Sequence, residues 1–180
     1  FIIEAGNMEE FKEKNRDVAF VDTPVLFKEY ITSSVIVMEY INGYAIDDKE
    51  HLLEDGYDMN EIGSKYVDNF IKQVMDDGFF HADPHPGNVR IRDGKIVWID
   101  MGMMGRLTER DREQIAKAVE GVALNDIGMI QDAVLALGEF RGEPDPSQLY
   151  KDIRGLMAKY GTADMGNIDV AEVLQDLMDV

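Results

Sequence analysis

Hydrophobic residues recur every three or four positions between Asp58 and Gly78, which predicts one amphipathic helix. Asp58 supplies an N-cap with Glu61 three residues later, and Gly78 stands where the glycine that ends a helix belongs. The helix is expected to pack this apolar stripe against a core. The stripe consists of Ile62, Tyr66, Phe70 and Val74, with Val67 and Ile71 beside them.

Alternating apolar and polar residues on each side of Asp93-Gly94 predict a β-hairpin with a two-residue turn. Its strands are Val89–Arg92 and Lys95–Ile99. Counted outward from the turn, the predicted pairs are Arg92 with Lys95, Ile91 with Ile96, and Val89 with Trp98. Since side chains alternate between the two faces of a strand, Val89, Ile91, Ile96 and Trp98 share one apolar face that is expected to join the core.

Two more apolar runs, Val25–Tyr30 and Val35–Tyr40, predict a pair of strands joined by a short polar link. Asn42-Gly43 predicts a turn after them and a boundary between two lobes. The other periodic segments predict helices, and Thr108 and Asn125 are expected to cap two of them. These helices cover residues 2–14, 108–124, 125–138, 147–159 and 169–179. Together the elements predict an α+β fold.

The amino-acid composition excludes several classes of function and adds little to the prediction of the fold. The chain has 180 residues, no cysteine and a net charge of −18. Without cysteine there are no disulfides and no thiolate metal sites. Such an acidic surface repels nucleic acid, so no nucleic-acid partner is expected, although a local nucleotide pocket remains compatible with it where metal ions offset the charge. No apolar stretch reaches 18 residues, the length expected of a membrane span.

The most polar segment, GFFHADPHPGN, occupies residues 78–88 and leads into the hairpin. Continuing the hairpin pairing by one step places Asn88 opposite Ile99, next to Asp100. Asp83 lies on the same loop, five residues before Asn88. Two carboxylates and one amide are therefore expected at one end of the hairpin. Ideal pleating would direct Asn88 and Asp100 to opposite faces, so twist at the strand ends must bring them together.

Carboxylate and amide oxygens are ligands that suit Mg²⁺, which completes its shell with water and phosphate oxygens. The spacing D-x4-N followed by a strand-ending D-x-G is used in protein-kinase-like phosphoryl transfer. In this chain the pattern is formed by Asp83, Asn88 and Asp100, and Gly102 lets the chain turn sharply after the last of them. We predict a magnesium–nucleotide site.

His81 and His85 flank Asp83 as H-x-D-x-H, so a Zn²⁺ site is an alternative interpretation. The third histidine, His51, lies far away in the sequence, and a further carboxylate would be needed. The favoured interpretation makes both histidines supporting residues. His81 would brace the loop by hydrogen bonding, and His85 would line the site or its rim.

At this point the chain resembles a known family. GFFHADPHPGN followed by IVWIDMGMMGRL is similar to the UbiB/ADCK-type, ABC1-like atypical kinases, which are tied to ubiquinone and related isoprenoid-quinone or lipid metabolism. EAGNMEEF resembles the helix-C segment of that family, and TPVLFKEYITSSVIVMEYINGY resembles its strand pair and hinge. LNDIGMIQDAVLALG resembles a later helix, so the resemblance runs from Phe1 to about Gly138.

The resemblance implies a role for each matching residue. Asp83 takes the catalytic-loop role, and Asn88 and Asp100 take the metal-ligand roles. Glu4 corresponds to the helix-C glutamate that pairs with a nucleotide-binding lysine. The implied adenine-contacting residues are Met38 at the gatekeeper position and Glu39, Tyr40 and Ile41 at the hinge, whose backbone would bind the base.

Some parts of the family pattern are not in this sequence. The nucleotide-binding lysine, the alanine-rich loop and the K-x-G-Q segment belong upstream of Phe1, and the turn reads D-M-G where related kinases have D-F-G. We therefore expect a fragment, with part of a kinase N-lobe at residues 1–41 and a kinase-like C-lobe at residues 42–180 whose C-terminal end is truncated. A fragment without the lysine is expected to be inactive alone.

The expected activity of the full-length protein is that of an ATP- and Mg²⁺-dependent atypical kinase or ATPase. Two alternatives stay open: a small-molecule kinase of the aminoglycoside-phosphotransferase type, and a pseudokinase scaffold that binds nucleotide without turnover. The expected partners are an adenine nucleotide and, from the resemblance, an isoprenoid lipid or proteins of quinone biosynthesis. A cytoplasmic location is expected, with any peripheral membrane contact made by segments outside this chain.

Overall fold

The computed structural model describes residues 1–138 and 142–160 of a mixed α+β protein. The chain divides into two compact units, one spanning Phe1–Leu107 and one beginning at Thr108. The lobe boundary predicted after residue 41 falls inside the first unit and stays a prediction. The predicted helix at 169–179 lies outside the described residues.

Helices and two small sheets build the first unit. Its helices are α1 (Ile2–Lys14), α2 (Lys49–Glu54) and α3 (Met59–Lys72). Its strands are β1 (Val21–Asp22), β2 (Tyr44–Ala45), β3 (Phe79–His81), β4 (Val89–Arg92), β5 (Lys95–Trp98) and β6 (Met104–Arg106). One sheet has the order β1-β5-β4-β2, with β1 parallel to β5, and the other pairs β3 with β6 antiparallel.

The predicted hairpin is confirmed in its turn and in its register. Asp93 and Gly94 both have positive φ angles, of 53° and 74°, as a two-residue hairpin turn of this kind requires. The residue pairs are those expected, from Arg92 with Lys95 to Val89 with Trp98. The predicted apolar face is buried throughout. Val97 is also fully buried, although it was not expected in the core.

Helix α3 begins where its cap predicts, because the Asp58 side chain accepts a hydrogen bond from the N–H of Asn60 (2.8 Å). After α3 the chain makes a π-helical turn at Gln73–Asp77, and Gly78 ends it with a φ of 58°. The assignment of Val67 and Ile71 to the apolar stripe was wrong, since both are more than half exposed.

The core-facing side of α3 and of the π-helical turn that follows it runs instead through residues 62, 66, 69, 70 and 73. On that side Asn69 and Gln73 are fully buried polar residues. A prediction from hydrophobicity alone therefore misplaced part of the buried face of the helix, because two positions on that face carry amide side chains.

The two runs predicted as strands before the hinge pair antiparallel, but they do not form regular strands. Leu26 and Met38 make a single bridge, supported by a hydrogen bond from the N–H of Phe27 to the carbonyl of Val37 (3.0 Å). Residues Lys28–Tyr30 form a 3-10 turn instead of continuing the first run. The prediction was correct in the pairing and wrong in the length of both strands.

A single apolar core organises the first unit around Trp98, which is fully buried. Its ring centroid lies 6.0 Å from that of Phe11 on α1 and 5.5 Å from that of Tyr66 on α3. Helix α1, helix α3 and the hairpin therefore meet on one indole. The buried members of this core are Met8, Phe11, Val21, Leu52, Ile62, Phe79, Val89, Ile91, Ile96, Trp98 and Met101.

The described part of the second unit is helical, with α4 (Glu109–Leu124), α5 (Ile127–Leu137) and α6 (Pro146–Tyr160). Thr108 caps α4 as predicted and forms a capping box with Asp111. Asn125 was wrongly expected to cap the next helix. It ends α4 in the left-handed region, with a φ of 54°, and Asp126 caps α5. Within the described residues, no helix has the length and apolar character to cross a membrane.

Candidate functional site

The loop between β3 and β4 closes on itself through its own polar groups. The N–H of His85 donates to the carbonyl of Asp83 (2.7 Å), and the N–H of Asn88 donates to the carbonyl of His85 (2.9 Å). The side-chain amide nitrogen of Asn88 also donates to the carbonyl of Asp83 (3.0 Å). This bond fixes the orientation of the amide, and its oxygen is the atom of Asn88 that can bind a cation. The carboxylate of Asp83 belongs to an exposed residue.

Asp100 follows the second strand of the hairpin, as the predicted register requires. The N–H of Ile99 donates to the carbonyl of Asn88 (3.0 Å), which extends the hairpin by one step. The Asp100 carboxylate accepts a hydrogen bond from the N–H of Gly102 (2.8 Å). A Cβ atom at Gly102 would lie 3.1 Å from that carboxylate oxygen, so glycine permits this close turn. Asp83, Asn88 and Asp100 thus stand at the same end of the hairpin.

His81 joins the loop to the strand that carries Asp100. Its Nε2 lies 2.6 Å from the carbonyl oxygen of Asp100, and its Nδ1 accepts a hydrogen bond from the N–H of Asp83 (3.2 Å). Since a carbonyl oxygen only accepts, Nε2 must carry the proton, and the ring is the neutral Nε2–H tautomer. The imidazole is buried and stacks on Trp98, with ring centroids 5.1 Å apart.

The hydrogen bonds of His81 and His85 argue against the alternative interpretation of a zinc site. Both ring nitrogens of His81 are engaged with backbone groups, and Nδ1 of His85 accepts a hydrogen bond from the N–H of Gly87 (3.0 Å). Within residues 1–138 and 142–160, no three or more histidine or acidic side chains come together to hold a metal. The donors that suit a cation here are oxygens, from Asp100 and Asn88, which fit Mg²⁺ better than zinc.

Helix α1 brings Glu4 to this site. Partial burial raises the pKa of Glu4, and the negative charge of Asp100 raises that pKa further. The amide nitrogen of Asn7 donates to the carbonyl of Met101 (2.9 Å), which ties α1 to the D-M-G turn. Two neighbouring carboxylates without a cation repel each other, so this end of the hairpin favours positive charge. Asn7 was missed by sequence reasoning, because an asparagine within a helix carries no sequence signal of such a contact.

The raised pKa gives a test of the cost of holding the Glu4 carboxylate charged, to which burial contributes most and the charge of Asp100 less. A carboxyl whose pKa is higher in the folded state than in the unfolded state costs stability as the pH rises through that interval. We expect Glu4→Gln to raise the thermal midpoint by about 1–3 °C near pH 7 without Mg²⁺. Near pH 3, where the carboxyl is protonated, the two midpoints should agree. A lower midpoint for the variant near pH 7 would contradict an unfavourable charge at Glu4, and differential scanning calorimetry in the two buffers measures the midpoints.

The residues predicted to form the hinge line a groove of about 560 Å³. Met38, Glu39, Tyr40 and Ile41 lie along it, and so does Ile99, the residue before Asp100. The Met38 side chain also packs against the core. The groove therefore brings the predicted adenine contacts together with Ile99, the residue that directly precedes the predicted metal ligand Asp100 in the chain.

The side chain of Glu39 bonds to neighbouring protein groups. Its carboxylate accepts hydrogen bonds from the guanidinium of Arg92 (2.6 Å) and from the N–H of Val25 (3.1 Å). The hydrogen bond from Arg92 holds the pKa of Glu39 below its ordinary value. This agrees with a hinge that would contact a base through its backbone. Sequence reasoning missed Arg92, since its partner lies 53 residues away.

Tyr66 makes another contact that sequence reasoning missed, because the sequence pattern placed this residue only in the core. Its hydroxyl donates to the carbonyl of Pro84 (2.8 Å), so α3 holds the loop one residue after Asp83. Burial raises the pKa of this phenol. A tyrosine hydroxyl in an otherwise apolar stripe was the available signal, because a phenol at the edge of a core usually finds a hydrogen-bond partner.

A D-x4-N loop linked through a hairpin to a D-x-G turn defines a kinase-like protein. Residues 1–134 match the ABC1 atypical kinase-like domain, and the chain belongs to that family. The chain is 37% identical over its whole length to the "Uncharacterized protein in hydrogenase 1 5'region" of Clostridium pasteurianum, of which it covers 34%.

Two plant proteins are also similar. The chain is 36% identical over 138 residues, 75% of its length, to "Protein ACTIVITY OF BC1 COMPLEX KINASE 8, chloroplastic" of Arabidopsis thaliana, of which it covers 18%. It is 30% identical over 150 residues, 83% of its length, to kinase 1 of the same name and organism, of which it covers 22%. The chain thus spans about a third or less of the length of these three relatives.

Proposed function

We propose that the chain forms the magnesium- and phosphate-binding part of an ATP-dependent atypical kinase or ATPase. The observation that supports this most directly is the convergence of Asp83, Asn88 and Asp100 at one end of the hairpin, beside the hinge groove. Membership in the ABC1 atypical kinase-like family supports the same class of activity.

Each residue at the site has a proposed role that follows from its surroundings. Asp100 and Asn88 would offer one carboxylate and one amide oxygen to Mg²⁺, which would neutralise phosphate charge when bound. The exposed carboxylate of Asp83 would orient the attacking hydroxyl or water and accept its proton. Glu4 would pair with a cation that completes the nucleotide site. The backbone of Glu39, Tyr40 and Ile41 would hold the base in the groove.

The wider proposals rest on resemblance. Full-length relatives are several times longer than this chain, so we propose that turnover needs segments beyond these 180 residues and that the chain alone is inactive. We further propose that the acceptor lies in isoprenoid-quinone or lipid metabolism. The same reasoning makes a quinone-biosynthesis protein or an isoprenoid lipid the proposed partner.

Asp100→Asn tests the proposed metal role in the full-length protein. The variant replaces a carboxylate by an amide of the same shape, and it retains an oxygen that accepts from the N–H of Gly102. We expect about tenfold or greater loss of Mg²⁺-dependent ATP affinity, because one charged ligand of the cation is removed. Isothermal titration with ATP at several Mg²⁺ concentrations measures it. Unchanged Mg²⁺-dependent affinity would show that Asp100 is not a ligand.

Asp68→Asn is the matched control for this experiment. Asp68 is an exposed aspartate on α3, and its replacement makes the same change in net charge. It should leave Mg²⁺-dependent affinity unchanged. If both variants lose affinity equally, the loss reflects net charge and not a ligand at Asp100.

A further inference from the structure

Two amide side chains of helix α3 and its π turn lie in the core without a role in the proposed chemistry. Asn69 is 1% exposed and Gln73 is 0% exposed. Burying an amide costs free energy unless its hydrogen bonds are satisfied, so such residues need a compensating network. The network they form leads to the candidate site.

The network starts at the end of α1 and runs through α3. The amide nitrogen of Asn69 donates to the side-chain oxygen of Asn15 (2.7 Å), and Asn15 in turn donates to the carbonyl of Phe11 (2.9 Å). The side-chain oxygen of Asn69 accepts from the indole N–H of Trp98 (3.0 Å) and from the amide nitrogen of Gln73 (2.9 Å). Helix α1, helix α3 and strand β5 therefore share one buried amide.

The network ends at His81. The side-chain oxygen of Gln73 accepts a hydrogen bond from the backbone N–H of His81 (3.0 Å). His81 then contacts both parts of the site, through the N–H of Asp83 and the carbonyl of Asp100. Gln73 is thus linked to Asp83 and Asp100 by hydrogen bonds to the backbone and to the ring of the same residue, His81.

The orientation of both amides is fixed by their partners. The indole N–H of Trp98 only donates, so the atom of Asn69 that faces it must be oxygen. The backbone N–H of His81 likewise requires the oxygen of Gln73. The remaining nitrogen of Gln73 then faces the oxygen of Asn69, and every bond has one donor and one acceptor. Reversing either amide would set two donors or two acceptors against each other.

We propose that Gln73 and Asn69 are positioning residues for the candidate site and act through His81. The inference rests on the proposed function, since it concerns the same site. Gln73 fixes the backbone of His81 in β3, which sets the imidazole between the N–H of Asp83 and the carbonyl of Asp100. Asn69 holds Gln73 in place and connects it to Asn15. Asn15 directly follows α1, the helix that carries Glu4.

Gln73→Met in the full-length protein tests the proposal, because methionine keeps the length of the side chain and makes no strong hydrogen bond. Nitrogen-15 NMR of labelled histidine, assigned with His81→Gln, reports the tautomer of His81. In the wild type we expect a protonated Nε2 and an unprotonated Nδ1. In Gln73→Met we expect signals averaged between tautomers, and Mg²⁺–ATP affinity weakened about tenfold, because small displacements of a site have large effects.

Two further variants serve as controls. Gln73→Glu introduces a buried carboxyl that is expected to be protonated, so it still accepts from His81 and donates to Asn69. It should keep the His81 tautomer and hold affinity within about threefold of wild type. Ile62→Val removes a buried methyl from the same helix without touching a polar group. It should lower the thermal midpoint and leave both readouts unchanged.

The outcomes separate this inference from the proposed function. An unchanged His81 tautomer in Gln73→Met overturns the inference, and so does a changed tautomer with unchanged Mg²⁺–ATP affinity. If Gln73→Met does not fold, loss of the tautomer in Gln73→Glu overturns it instead, and its retention with near-normal affinity supports it. A wild-type protein that binds no Mg²⁺–ATP overturns the proposed function, and the tautomer measurement then tests the positioning of His81 by itself.

Discussion

Asp83→Asn is expected to lower the turnover of Mg²⁺–ATP by the full-length protein about 10²- to 10⁴-fold, the usual contribution of a general base. The loop hydrogen bonds use the backbone N–H and carbonyl of Asp83, and its carboxylate is exposed. The variant should therefore fold normally and retain most of its nucleotide affinity. Phosphate release or phosphoryl transfer under saturating nucleotide measures the effect, and unfolding curves verify the fold.

Two results would contradict the role of Asp83. Turnover within about threefold of wild type would remove it from the chemistry, since a positioned base contributes far more. A parallel loss of nucleotide affinity would mean that the carboxylate acts in binding instead. If the wild-type protein binds nucleotide and shows no turnover under any acceptor condition, the scaffold alternative is favoured. Asp68→Asn again serves as the exposed control.

Trp98→Ala is expected to destabilise the first unit by about 3–5 kcal/mol, the range for removal of a large buried aromatic side chain. The indole is fully buried against the rings of Phe11, Tyr66 and His81. Its removal leaves a cavity and takes one donor from Asn69. Urea unfolding followed by circular dichroism measures the free energy of unfolding of the variant and of the wild type.

Tyr30→Ala is the control for aromatic deletion, because Tyr30 is 61% exposed and packs little surface away from water. Its effect should stay within about 0.5 kcal/mol, as for surface substitutions in general. A loss below about 1 kcal/mol for Trp98→Ala would show that the core is not organised around this ring, because even partial relaxation leaves a larger cost.

The parts of the fold set by local chemistry could be predicted from the sequence. The Asp93-Gly94 turn fixes the hairpin register, and that register alone placed Asn88 beside Ile99 and Asp100. The cap at Asp58 and the glycine at residue 78 marked the ends of the helical segment around α3. Each of these signals lies within a few residues of the structure that it determines, so no long-range contact was needed to interpret it.

The features that depend on distant partners could not be predicted in the same way. Asn69 and Gln73 are polar, so periodicity assigned the buried face partly to Val67 and Ile71, which are exposed. Asn125 has the residue type of a cap, and only the path of the chain shows that it closes α4. For α3 the missing information was which surface of the helix meets other elements. For Asn125 it was the left-handed backbone conformation at the end of α4.

The contact between the hinge and the hairpin is an ion pair between residues that lie far apart in the sequence. Sequence reasoning found the hinge only through family resemblance, and it did not find Arg92 or Tyr66 as contacts. A pair such as Glu39 and Arg92 has no local signature, because surface residues of opposite charge are common. Such a contact becomes visible only when the hairpin and the hinge segment are placed together.

The hairpin strand β4 also sets a distance between two parts of the molecule. Asn88 stands at one end of it, and at the other end Arg92 is bonded to Glu39 of the hinge segment. Four steps of a strand at about 3.3 Å each separate these two residues by about 13 Å. The spacing between the predicted hinge and the predicted cation ligand Asn88 is therefore set by a length of pleated backbone instead of a flexible connection.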